Sequence, residues 1–190
     1  MKASKILLFL LIVAVVSFFL FLRIFNYTTE QDAKKFFEED LNYTYPDANE
    51  KKIISIQRVA EGEEEYVLRA WVSRGLDTPC PEKIEVQYSY PSRNFLGNEL
   101  KLVSGCSVCQ TDKINCHIIY PEEAIIASHT YEGTEKIKEF IKKNQDAKPS
   151  VEFLENFEGN KYVWKVNWTS ENGSMTIYIN QADNKILKIE

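Results

Sequence analysis

The chain predicts an α+β fold: two tandem units, each a helix followed by an antiparallel sheet, behind one N-terminal transmembrane helix. Three observations lead there. An apolar run opens the sequence, two stretches of amphipathic helix spacing each precede a series of alternating strands, and the two series follow the same order.

Residues 6–22 hold a single polar side chain, Ser17. At about 1.5 Å per residue such a helix spans roughly 25 Å, a little short of a bilayer core of about 30 Å. Ile24 and Phe25 extend the apolar run, and Lys5 and Arg23 can snorkel outward. A cleaved signal peptide has a shorter apolar core and small residues at its end. Bulky Phe18, Phe19, Leu20 and Phe21 close this one, so residues 1–25 are expected to stay as an anchor. Flanking positive charge is nearly balanced, with Lys2 and Lys5 on the short side and Arg23, Lys34 and Lys35 on the long side. Cysteines and glycosylation sequons decide the orientation. The N-terminus is expected in the cytoplasm and the C-terminal part outside, in a single-pass cell-membrane protein.

The 167 residues after Arg23 carry all 28 acidic residues and 20 of the 23 basic ones, a net charge near −8. That balance excludes nucleic-acid binding through a broad basic surface. A chain of this length has room for one good core or two small ones.

Thr29-Glu30-Gln31-Asp32 reads as a capping box, and Ala33, Phe36, Phe37 and Leu41 then share one face of a helix over 30–41. Residues 42–50, with Pro46, read as a loop. Residues 53–59 form a strand, and Glu61-Gly62 a turn. Tyr66, Leu68, Ala70 and Val72 alternate with polar or outward residues, as do Ile84, Val86, Tyr88 and Tyr90. Pro91 ends that strand.

The last third repeats the order. Thr134 opens a helix to about Asn144, with Ile137, Phe140 and Ile141 on one face. Strands follow over 151–157, 162–169, 175–179 and 186–189, separated by Glu158-Gly159, Asn172-Gly173 and Asp183-Asn184. Residues 66–73 align with 162–169, and in both units a helix and a Glu-Gly turn precede that strand, which points to duplication. The first unit then covers 26–130 with a cysteine-rich insertion over about 91–120, and the second covers 131–190.

The second unit, through 162–169 and the closing Ile177-Tyr178-Ile179 and Asn184-Lys185-Ile186-Leu187, resembles a PepSY-type or cystatin-like module. Such modules commonly occur in pairs behind one N-terminal membrane helix. The resemblance implies the fold and a protein-binding or inhibitory role, and it carries no catalytic residues.

All four cysteines, Cys80, Cys106, Cys109 and Cys116, lie within 37 residues. Three readings remain open. Two disulfides suit an even count outside the cytoplasm, in any of three connectivities. Four thiolates suit a structural zinc site, with His117 as a substitute ligand. Cys106-Ser107-Val108-Cys109 suits a redox pair, although such pairs sit at a helix N-terminus and residues 115–120 read as strand-like. Sequons at Asn26, Asn42, Asn167 and Asn172 are candidate glycosylation sites, Asn42 in a loop and Asn167 on the outward face of its strand.

His117 and His129 lack a metal-ligand spacing with a carboxylate, and the runs at 38–40 and 63–65 read as solvated acidic faces. Seven glycines leave little for a phosphate cradle, and no hydrolase, metalloprotease or calcium-loop signature occurs. No cofactor and no catalytic residue are expected. The expected role is a membrane-anchored, extracytoplasmic binding or assembly module with a protein partner at the cell surface. A membrane-anchored thiol-disulfide oxidoreductase using Cys106 and Cys109, or a structural zinc-binding surface protein, stands as the alternative.

Overall fold

A computed structural model describes residues 11, 13–18, 29–60, 65–92, 99–109 and 116–190. It is α+β, with two four-stranded antiparallel sheets and a few helices. Residues 13–18 are helical and exposed. Most of the expected anchor lies outside the described residues, and no described helix is long and apolar enough to cross a membrane.

Helix α1 (Glu30–Thr44) begins at the capping box read from the sequence: Asp32 N–H donates to Thr29 Oγ1 and Thr29 N–H to Asp32 Oδ2, both at 3.1 Å. It runs three residues beyond its expected end, so Asn42 sits in its last turn and not in a loop. The alternating strands β1 (Glu50–Arg58), β2 (Tyr66–Arg74), β3 (Glu82–Tyr90) and the short β4 (Leu100–Val103) pair in chain order. Ala33, Phe37 and Leu41 of α1 pack on Leu68, Ala70, Val72, Val86 and Tyr88. Burial of each large side chain here contributes about 1.5–3 kcal/mol.

The second sheet repeats this meander with β5 (Lys148–Phe157), β6 (Asn160–Ser170), β7 (Gly173–Asn180) and β8 (Ile186–Ile189). Phe157 pairs with Asn160, which leaves Glu158-Gly159 as a two-residue loop. Both residues have positive φ, 50° and 85°, the mirror-image turn that matches strand twist. The aligned strands share their phase: Leu68, Ala70 and Val72 face the first core as Trp164, Val166 and Trp168 face the second. The turn at Glu61-Gly62 lies outside the described residues.

Two helices precede the second sheet. Helix α3 (Glu135–Lys143) covers it with Ile137, Phe140 and Ile141, as its spacing predicts. Helix α2 (Pro121–Thr130) was not expected. Pro121 occupies its first turn, where the missing N–H has no role and the fixed φ suits a helix start, and Glu122 and Glu123 complement the dipole. Seven of its ten residues are buried. Ala124, Ile125 and Ala127 enter the second core together with Ile118, while Ile126 packs with Leu102 and Val103 of β4 and against Trp71. The helix thus lies between the two sheets.

Candidate functional site

The face of the first sheet turned away from α1 is polar yet largely covered. Its centre is Glu85 on β3. Glu85 Oε1 accepts from Arg69 Nη2 at 2.7 Å and Gln87 Nε2 at 2.8 Å, and Oε2 accepts from Trp71 Nε1 at 3.1 Å. Burial pushes the carboxyl upward, and the bonds from Gln87, Arg69 and Trp71 outweigh it, so Glu85 stays below the ordinary glutamate range.

Next to it, Lys83 is 4% exposed and Glu122 of α2 is fully buried. Lys83 Nζ donates to Glu122 Oε1 at 3.1 Å and Ser73 Oγ at 3.0 Å. The ammonium lies 5.3 Å from the ring centres of both Trp71 and Tyr120, within cation–π range. Those rings meet edge to face at 5.5 Å. Glu122 Oε2 has no hydrogen-bond partner among the described residues.

Above this pair opens a cleft of about 330 Å³. Trp71, Tyr120, Ile119 and Pro121 form apolar walls, Lys83 and Ser73 the floor, and Glu50 and Lys52 of the edge strand β1 bring opposite charges to it. Ile119 is 52% exposed.

The cysteine segment shapes the far wall. Cys80 pairs with Cys106 and Cys109 with Cys116, and no described cysteine is free. Cys106 and Cys109 are therefore not bonded to each other, and all four sulfurs are engaged in disulfides. Cys106 and Cys109 hold φ of 54° and 57°, a region that favours glycine and that the surroundings must impose. Glu123 supplies part of that constraint. Its carboxylate accepts from the backbone N–H groups of Cys109 at 3.0 Å, Ile119 at 2.9 Å and Tyr120 at 3.2 Å.

Residues 116–119 are not a strand, contrary to the strand-like reading. Instead they lace onto the second unit. Trp164 Nε1 donates to Ile118 O at 2.8 Å, Asn184 Nδ2 to Cys116 O at 2.8 Å, and His117 Nδ1 to Ala182 O at 2.7 Å. The histidine named as a substitute zinc ligand thus spends Nδ1 on a carbonyl, and the four cysteines that would join it as thiolates are paired in disulfides.

The sequons separate by environment. Asn42 and Asn172 are exposed. Asn167 is half-buried in β6, its Nδ2 donating to Thr169 Oγ1 and its Oδ1 accepting from Thr176 Oγ1, each at 3.0 Å. Asn26 lies outside the described residues.

Lys83, Glu122 and Trp71 went unsingled in the sequence. Lys83 occupies a polar position of an alternating strand, which normally means solvent. The signal that could have found the site is the Pro-Glu-Glu start of a helix at 121–123, which places two carboxylates beside a sheet.

Replacing Lys83 by Met leaves Glu122 buried without its cation. Chemical denaturation should show a loss of about 3–5 kcal/mol, most of it restored in the Lys83→Met/Glu122→Met double variant. Glu85, held low in the folded state, binds fewer protons there than in the unfolded chain. Its contribution is complete above the ordinary glutamate range and lost as pH falls through the folded value. Glu85→Gln should therefore flatten the stability–pH curve on the acid side, below about pH 4.5, measured by denaturant midpoints.

No protein-family profile, no curated protein and no solved structure matches the chain, so the PepSY-type resemblance rests on the hydrophobic pattern and turns alone.

Proposed function

We propose that the chain is a membrane-anchored, extracytoplasmic binding or assembly module without catalytic activity. It takes an apolar side chain of a partner protein into the cleft between Trp71 and residues 119–121. The observation that carries this reading is the cleft itself: two aromatic rings and an exposed isoleucine around a buried charged pair, beside the edge strand of a sheet. Aromatic pockets of this kind concentrate binding energy at protein interfaces. Glu50 and Lys52, two residues apart on β1, offer charged contacts to the segment that flanks the inserted side chain. The net charge near −8 after Arg23 favours a partner with a basic surface.

The anchor is supported by the apolar run 6–22 and by the exposure of Val13, Val15, Val16 and Phe18 on the described part of that helix. Exposed apolar side chains on a helix suit lipid. The disulfides suit an oxidising exterior. The PepSY-type and cystatin-like resemblance points the same way, since it implies protein binding.

A photo-crosslinking residue placed at position 119 in the full chain, in its native membrane, should trap one defined partner. The Trp71→Ala change should abolish the adduct, and the same probe at Tyr43 on α1 should give none. No adduct from position 119, or the same adduct from both positions, would remove the cleft as the docking site.

A further inference from the structure

The two disulfides have different surroundings. Cys109 is 7% exposed and its backbone is held by Glu123. Cys80 is exposed, and its partner Cys106 is half-buried against α2. His129, in the last turn of α2, brings Nε2 to 3.8 Å from Cys106 Sγ. Its Nδ1 lies 3.0 Å from Ile125 O. A carbonyl only accepts, so Nδ1 carries the hydrogen and Nε2 presents a lone pair to the sulfur. Trp168 closes the other side of the ring, edge to face at 5.7 Å. The charged group whose field reaches the ring is Lys138 of α3, and burial and that charge keep the imidazole neutral by lowering its pKa. Among the described residues, Cys80, Cys106 and His129 form a group whose ligating atoms lie within 4.8 Å of one another.

We propose that Cys80–Cys106 is a thiol-exchange site, with Cys80 as the sulfur attacked and Cys106 as the leaving group received by His129. The co-reactant is a thiol, from a small molecule or from a cysteine of another protein. Its sulfur lone pair forms a new bond to Cys80 Sγ, and the electron pair of the Cys80–Cys106 bond departs with Cys106 Sγ. The proton given up by the incoming thiol ends on His129 Nε2. The products are a mixed disulfide on Cys80 and a Cys106 thiolate paired with the His129 imidazolium. No net oxidation occurs. Exchange favours a leaving sulfur of low pKa, and the neutral imidazole lowers it by taking up the proton as the Cys106 thiolate forms beside it. The exposure of Cys80 sets the direction of attack. The inference does not depend on the cleft being a docking site.

The test exposes the full chain to glutathione, and in parallel to a small protein with one exposed cysteine. Alkylation and peptide mass mapping follow. The proposal expects an adduct on Cys80, an alkylated Cys106 and an intact Cys109–Cys116 bridge. Adducts from both thiols admit protein partners, and an adduct from glutathione alone restricts the site to small thiols. Either supports the assignment. His129→Asn keeps a donor for Ile125 O and removes the Nε2 lone pair. It should slow exchange about tenfold and raise the titration midpoint of the Cys106 thiolate, followed by ultraviolet absorbance after reduction. Earlier opening of Cys109–Cys116, an adduct on Cys106, or a folded His129→Asn protein with unchanged rate and midpoint would overturn it. Should that variant not fold, the thiol map of the unaltered chain decides alone.

Discussion

A helix with two glutamates in its first turn and no side turned to solvent is stable only where each carboxylate meets donors. That requirement governs the middle of this molecule. Glu122 meets Lys83 from the first sheet, and Glu123 meets three backbone N–H groups of the cysteine segment. Removing either carboxylate from water is costly, and these partners, with the helix dipole, offset the cost. The position of α2 is thereby specified relative to β3 on one side and to residues 109–120 on the other. Its aliphatic residues then complete the second core and meet β4.

The cleft follows from the same constraint. Tyr120 immediately precedes Pro121, so the start of α2 places that ring against Trp71, with Lys83 under both. The cysteine segment is held from both ends as well. Cys80–Cys106 joins the β2–β3 connection to the turn after β4, while Ile118 and Cys116 reach the second unit through Trp164 and Asn184. The segment read as an insertion in the first unit works as the connection between units.

The sheets were legible because half-buried antiparallel strands alternate with period two, as 66–72 and 84–90 do, and because Glu158-Gly159 is a turn with only a few geometries. Helix α1 announced itself through its cap. Helix α2 did not, for a physical reason. An amphipathic period arises when one face meets water, and α2 has no such face: Ala124, Ile125, Ile126 and Ala127 are consecutive and all buried. The candidate site was illegible for a related reason. Lys83, Glu85 and Ser73 occupy outward positions in the strand pattern, and only the arrival of α2 turns that outward face inward. The cysteine pairing likewise depends on which loops the meander brings together, which spacing alone leaves open among three connectivities.

The central claim is that α2 is a shared core element of both units. Native-state hydrogen exchange at its backbone amides tests this most directly. The account predicts that the amides of Ile125, Ile126 and Ala127 exchange only through global unfolding, as slowly as the central strands β2 and β6. Exchange through a local opening, markedly faster than either sheet, would contradict it.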